Sequence, residues 1–423
     1  MKMQRRDFLK AGVASAALTG LAGCAGVAGG GTPKARVVVV GGGYGGATAA
    51  KYIRMLDAEI DVVLVEPNEA FVSCPLSNMV LGGFRAMGDI TVPYSGLARH
   101  GVRVVRDTAT AIDVEKRQVR LARGEAVAYD RVILSPGVDF MWEALPGMSA
   151  AGAQERVLHA WKAGPQTAQL RRQLEAMPDG GTYVLAIPEA PYRCPPGPYE
   201  RACQVAAYFK AAKPRGKVLV LDANPDVTSK GALFKKAWAD LYPGMIEYRG
   251  NSKAIDVDAV ASTVKLEFGD MKADVLNVLP PMKAGNIAAA FITANRRWCE
   301  VDWTTFESRA AKGVHVLGDS LQIAPAMPKS ATMANGHAKV CAAAVVNLLS
   351  GESPNPSPVL VNTCYSMVSD KLAIHVASVH KYDINDRTFK AVPGAGGLSS
   401  AMNEAEGAYA MSWARNIWAD SLG

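Results

Sequence analysis

The sequence predicts an α/β fold in which two parallel, doubly wound units stand in tandem ahead of a smaller α+β tail. Three observations carry that reading. A β-branched run from Ala35 to Val40 leads into Gly41-Gly42-Gly43-Tyr44-Gly45-Gly46, then a breaker-poor stretch, Ala47 to Leu56, then a second apolar run closed by Glu66. That is strand, turn, helix and strand in succession. Midway, Thr182 to Ile187 repeats the strand signal. Later, Gly313 to Leu317 runs into Gly318-Asp319, with a helical stretch from Ser330 to Leu349 and a proline-rich linker from Ser350 to Pro358 beyond it.

Composition narrows the class. The 423 residues are 49% hydrophobic and 20% charged, which excludes a wholly disordered or fibrous chain. The length suits two or three domains. Lys and Arg total 46 against 39 acids, a net charge of +7, and part of that excess sits in the first residues. So mild a balance does not suit a nucleic-acid partner. No apolar run approaches the ~18 residues that a membrane span needs.

The first 31 residues read as an address. Gln4-Arg5-Arg6-Asp7-Phe8-Leu9-Lys10 precedes a short small-residue apolar stretch, the pattern of a twin-arginine export signal. The expected location is therefore the periplasm. Leu21-Ala22-Gly23-Cys24 resembles a lipobox, which would make Cys24 a lipid anchor; cleavage among the small residues after it is the alternative.

The glycine segment carries the first chemistry. Gly41, Gly43 and Gly46 fill G-x-G-x-x-G between a strand and a helix, and Glu66 follows at the spacing of a ribose ligand. Such glycines let backbone approach a pyrophosphate at the helix N-terminus, where free amides and the dipole favour an anion. These are the marks of a Rossmann-like dinucleotide-binding domain.

Tyr129 to Gly137 and Gly313 to Asp319 resemble the further fingerprints of the two-dinucleotide-domain flavoproteins. The resemblance implies FAD, with Gly137 and Gly318 in the close turns and Asp319 toward the ribityl chain. Such proteins carry a second glycine turn for NAD(P)H. Here Thr182 to Ile187 is followed instead by Pro188 and a proline-rich run from Pro191 to Pro198. Proline has no N–H and a fixed φ, so it cannot build an amide cradle, and the second domain is expected to be degenerate. An NADH-dependent disulfide reductase is disfavoured for that reason. His315, inside an apolar strand, reads as core.

Ser73-Cys74-Pro75-Leu76-Ser77-Asn78, the segment Arg193-Cys194-Pro195-Pro196-Gly197-Pro198-Tyr199-Glu200-Arg201, and Asn362-Thr363-Cys364-Tyr365-Ser366 join the leader and the glycine motifs in one further resemblance. Together they resemble the flavoprotein subunit of flavocytochrome c sulfide dehydrogenase. That resemblance implies a thioether from Cys74 to the flavin and a redox disulfide between Cys194 and Cys364. It also implies sulfide oxidation to sulfur or polysulfide, and electron transfer to a separate c-type cytochrome subunit. Hydrosulfide would attack the disulfide, with Glu200 as acceptor of its proton; a first-turn acid matching the helix dipole is the plainer reading of Glu200. Arg193, next to Cys194 in sequence, is a candidate for attracting the anion and favouring the thiolate, against the plainer reading of a residue without that role. Pairing of Cys194 with Cys203 remains a structural alternative, and Cys299 and Cys341 read as inert buried thiols. The chain has no C-x-x-C-H, so any haem c belongs to a partner, and no metal site is expected.

The expected organisation is a leader over 1–31, a discontinuous FAD-binding domain over 33–147 and 283–352, a degenerate domain over 148–282, and a C-terminal partner domain over 353–423. Tyr409, Trp413, Ile417 and Trp418 form an apolar stripe suited to an interface or to core packing. The rival functions are a sulfide:quinone oxidoreductase and a flavin- or sulfur-binding accessory subunit.

Overall fold

The computed structural model describes residues 33–423, so the twin-arginine leader and Cys24 lie outside the described residues. The elements that build the site are, in chain order, β1 (Ala35–Val40), α1 (Tyr44–Leu56), β2 (Ile60–Val65), α2 (Ser77–Gly82), β3 (Arg103–Val105) and β4 (Arg131–Leu134). Next come β5 (Thr182–Ile187), α3 (Gly197–Ala212), β6 (Lys217–Asp222), α4 (Gly231–Leu241), β7 (Ile246–Arg249), β8 (Val275–Val278) and β9 (Val314–Val316). Helix α5 (Ala331–Leu349), β10 (Val359–Met367), β11 (Ala373–Asp383), β12 (Thr388–Leu398) and α6 (Glu404–Leu422) complete the set.

The first sheet is parallel, in the order β9-β4-β1-β2-β3. Its central strand is buried on both faces, which is why Val37, Val38 and Val39 form an unbroken apolar run rather than an alternating one. The chain leaves β1 toward β2 and returns on the other side through β4. That reversal opens a crevice at the carboxyl ends of β1 and β4. The turn after β1 meets the turn after β4 there. Gly41 has φ +98°, and a Cβ on it would lie 2.5 Å from the Ser135 carbonyl oxygen. Helix α1 starts at Tyr44, three residues ahead of the expected Ala47, because the glycines serve as its first turn as well as its entry.

The second sheet repeats the plan, parallel in the order β7-β6-β5-β8. Its crevice lies at the end of β5, where residues 188–196 lead into α3. No glycine turn occupies it. Cys194 sits there in the left-handed region at φ +57°, pinned by its N–H donating to the Lys329 carbonyl at 2.9 Å. The loop that would cradle a nicotinamide dinucleotide is thus tied to the chain just ahead of α5.

The tail is an antiparallel sheet, β10-β11-β12, with α6 beside it. Asn403 caps α6 by accepting the Glu406 N–H. Of the two readings of the aromatic stripe on α6, the structure gives packing within this chain for three of its four residues. Tyr409 alone of the four is exposed. Ile417 packs with Tyr44 and Ala334, Trp418 donates Nε1–H to the Tyr44 hydroxyl at 3.0 Å, and Trp413 faces the central cavity. The cause is docking of α6 against α1, where Lys51 and Tyr52 bond Ala419 and Asp420. No helix among the described residues is long and apolar enough to cross a membrane.

Candidate active site

A cavity of about 260 Å³ is lined by the ends of both parallel sheets and by the tail. Gly41, Gly43, Glu66, Cys74, Gly137, Cys194, Glu200, Gly318, Asp319 and Cys364 all border it. Gly46 does not. Its missing Cβ would lie 1.8 Å from the Gly41 carbonyl oxygen, so it lets α1 close on the turn rather than touching a ligand.

The glycine end fits a dinucleotide. A Cβ on Gly43 would meet nothing within 4 Å, leaving open space where α1 begins. The N-cap of α1 makes no side-chain hydrogen bond, so the helix amides are free for an anion. Glu66 braces the turn: one carboxylate oxygen accepts the Gly42 N–H at 2.8 Å, the other the Asn68 N–H at 2.9 Å. Asp319 borders the cavity with its carboxylate accepting no hydrogen bond among those described, as suits a sugar hydroxyl partner. Burial pushes its carboxyl up, while Arg193 and Lys329 oppose the shift. Lys329 is itself held down at about 7, chiefly by burial, with its ammonium 3.6 Å above the Trp298 ring centre.

Three of the six described cysteines face this cavity, each from a distant segment. Cys74, in the turn before α2, accepts a hydrogen bond on sulfur from Arg193 Nη1 at 3.2 Å. Arg193 also donates to the Trp161 carbonyl. The guanidinium expected to favour the Cys194 thiolate therefore makes its direct bond to Cys74. Cys194 and Cys364 are both thiols, close enough to interact electrostatically. Burial pushes Cys194 up to about 12, with Cys364 and Glu200 adding to the shift. Burial raises Cys364 as well, opposed first by Lys230.

Glu200 and Lys230 frame this pair. Glu200 is buried in the first turn of α3, accepting from the Met367 N–H at 2.9 Å and from Asn78 at 3.0 Å. Burial raises its carboxyl. Lys230, the N-cap of α4, donates to the Cys364 carbonyl at 3.0 Å and to Ser366 Oγ at 2.8 Å. Nothing in the sequence around Lys230 singles it out; only the packing of α4 against the tail brings it here. Arg201, with 1% exposure, ties α3 to α2 through Asn78 and to β8 through Asn277.

The remaining cysteines lie elsewhere. Cys203 is buried in α3 beside Trp238, and Cys299 and Cys341 are buried in the core, their thiols raised by burial. His315 is core as expected, bonded to the Thr305 carbonyl and to Arg131.

Two parallel sheets, one keeping a glycine cradle and the other presenting a cysteine in place of it, define a flavoprotein of the pyridine nucleotide-disulphide oxidoreductase fold, whose model matches residues 35–176. Residues 167–280 match the central region of the sulfide dehydrogenase [flavocytochrome c] flavoprotein chain, and residues 356–422 match the flavocytochrome c sulphide dehydrogenase flavin-binding region. Over 45 residues the chain is 69% identical to the sulfide dehydrogenase [flavocytochrome c] flavoprotein chain of Chlorobaculum thiosulfatiphilum, covering 94% of that sequence and 11% of this one. The chain belongs to the flavocytochrome c sulfide dehydrogenase flavoprotein family and is an FAD-dependent sulfide oxidoreductase flavoprotein. It is also similar to the mitochondrial sulfide:quinone oxidoreductase of Dictyostelium discoideum, 24% identical over 82% of this chain and 73% of the relative. In fold it resembles the sulfide:quinone oxidoreductase of Aquifex aeolicus, with a TM-score of 0.73 at 18% identity, covering 91% of each chain.

Proposed function

We propose that the chain is the catalytic flavoprotein half of a sulfide dehydrogenase that hands electrons to a separate c-type cytochrome subunit bearing haem c. The observation that carries this reading is the convergence of Cys74, Cys194 and Cys364 on the cavity that holds the glycine cradle. Gly41, Gly43, Glu66, Gly137, Gly318 and Asp319 would hold the FAD, with Cys74 joined to it through a thioether. The flavin supplies a two-electron acceptor that releases electrons one at a time.

The residues of this chain do the sulfur chemistry. In the oxidised enzyme Cys194 and Cys364 are joined, and hydrosulfide attacks one sulfur. The S–S bond breaks, a persulfide forms on one cysteine, and the other leaves as thiolate. A second hydrosulfide takes the outer sulfur away as disulfide anion, leaving two cysteine thiols. These re-form their disulfide as two electrons pass to the flavin. Glu200 accepts the proton of the incoming sulfide, and Lys230 offsets negative charge that gathers beside Cys364.

The Arg5-Arg6 leader supports export to the periplasm as a lipid-anchored form if Cys24 is acylated, or a released form if it is removed. The long similarity to a sulfide:quinone oxidoreductase favours a second reading, in which quinone is the acceptor. Anaerobic mixing with sulfide should bleach the flavin, and added oxidised cytochrome c should restore it. Rapid restoration by a short-chain quinone, with cytochrome c inert, would overturn the cytochrome reading. A flavin that sulfide leaves yellow would reduce the chain to an accessory subunit.

A further inference from the structure

The segment from Pro188 to Pro196 replaces a nicotinamide loop, and it delivers two side chains to the site rather than one. Cys194 points into the cavity, and its neighbour Arg193 reaches Cys74. The backbone there is fixed from both sides. Cys194 N–H is anchored on the Lys329 carbonyl, while Arg193 donates to the Trp161 carbonyl and lies with its guanidinium 5.5 Å from the Trp161 ring centre. The Cys74 thiol donates to the same Trp161 carbonyl at 3.7 Å, so the guanidinium and the sulfur share that acceptor. One guanidinium nitrogen, Nε, is buried with no partner, so burying this cation is not explained by complete hydrogen bonding. Burial works against its charge, yet Cys74, Asp319 and Cys194 together outweigh burial and keep it charged.

We propose that Arg193 is the positioning residue that makes Cys74 a thiolate nucleophile toward the flavin, so that the protein attaches its own cofactor without a helper enzyme. The inference rests on the thioether reading of Cys74 and goes beyond it by naming the residue that enables the bond. A guanidinium hydrogen bond to sulfur is strongest when the sulfur is anionic, and the thiolate is the reacting form. Cys74 Sγ adds to the 8α carbon: the S–C bond forms, and one C–H bond at that carbon is lost with its proton passing to water. The two electrons stay on the flavin until dioxygen removes them and leaves as hydrogen peroxide. One thiol hydrogen and one methyl hydrogen thus balance the two hydrogens of the peroxide.

The test uses the full chain produced in flavin-starved cells, purified, then mixed with FAD in air across a pH series. Native absorbance reads total bound flavin, and colour in the acid precipitate reads the thioether. Wild type should form the thioether with no other protein present, and Cys74→Ala should bind FAD yet give a colourless precipitate. Arg193→Gln should bind FAD but form the thioether at least about tenfold more slowly, with a rate that climbs with pH more steeply than wild type. Arg193→Lys should recover part of the rate. A glutamine variant matching wild type in rate and pH profile would overturn the proposal, as would a purified wild type that needs cell extract. Loss of FAD binding in both arginine variants would assign Arg193 a structural role and overturn it too. A wild type that releases all its flavin into acid would instead sink the thioether reading itself.

Discussion

Single side chains set the chemistry at the sulfur pair. Glu200 is ionisable, buried and within the cavity, while its two hydrogen bonds hold it in place. Glu200→Gln keeps the shape and removes the base. The rate of flavin reduction at saturating sulfide should fall by about 10²-fold, and the acid limb of its pH profile should disappear. Lys230 is lowered to about 8 by burial, against the pull of Cys364, Glu200, Cys194 and Glu406. It is therefore cationic at neutral pH and neutral above about 8, so help to a leaving thiolate on Cys364 is lost on the alkaline side. Rapid mixing should show reduction slowing as pH rises through that value, and Lys230→Met should lack the step. The same variant strands the Cys364 carbonyl and Ser366 hydroxyl, costing about 1–3 kcal/mol in urea unfolding. Cys74, Cys194 and Cys364 were legible through the family resemblance of the segments that carry them, not through a turn signal of their own, since Cys364 lies inside strand β10 with no proline or glycine in it. Lys230 was not legible, since a lysine before a helix carries no signal of what a distant strand will place beside it.

At the scale of elements, the site depends on how closely helices approach strands. Gly46→Ala puts a methyl 1.8 Å from the Gly41 carbonyl oxygen, a backbone atom that cannot swing aside. The variant should lose FAD binding, read as loss of flavin absorbance in the purified protein. The aromatic stripe of helix α6 suited either a partner or this chain's own core, and it borders the cavity and braces Tyr44. Ile417→Ala should cost about 2–5 kcal/mol by calorimetry or urea, because it empties a contact between α6 and α1. In a Cys74→Ala background it should also release FAD faster. Periodicity in α6 marked the helix but only part of its buried face, which runs through Gly407, Ala410, Ala414 and Ile417 and leaves Tyr409 exposed. It was silent on whether that face met this chain or another, because burial and docking select the same residues.

Across the whole molecule, the buried His315 and His337 and the half-buried His159 couple stability to acidity. His159, His315 and His337 are held near 3, 4 and 3, each chiefly by burial. Both His337 nitrogens are buried without a partner. All three stay neutral in the folded protein at pH values where the unfolded chain protonates them at about 6.5. The unfolded state then binds more protons, so stability is complete above that value and falls as pH drops below it. Each group contributes up to about 1.4 kcal/mol per pH unit. The urea midpoint should decline from pH 7 toward pH 5, and His337→Phe should make the decline shallower. An unchanged slope in that variant would remove His337 from the account.

Local signals settled the tandem parallel units, the first glycine cradle and the proline run where a second glycine turn would lie, and the family resemblance singled out the cysteine segments. Each depends on residues near one another along the chain, where backbone freedom and side-chain period act directly. The family resemblance had already grouped Cys74, Cys194 and Cys364 at one flavin site, but that Arg193 bonds Cys74, that Lys230 stands by Cys364, and that Trp413, Ile417 and Trp418 pack within this chain came only with tertiary packing. Those contacts join segments more than a hundred residues apart, and long-range docking is decided by complementary burial over whole surfaces.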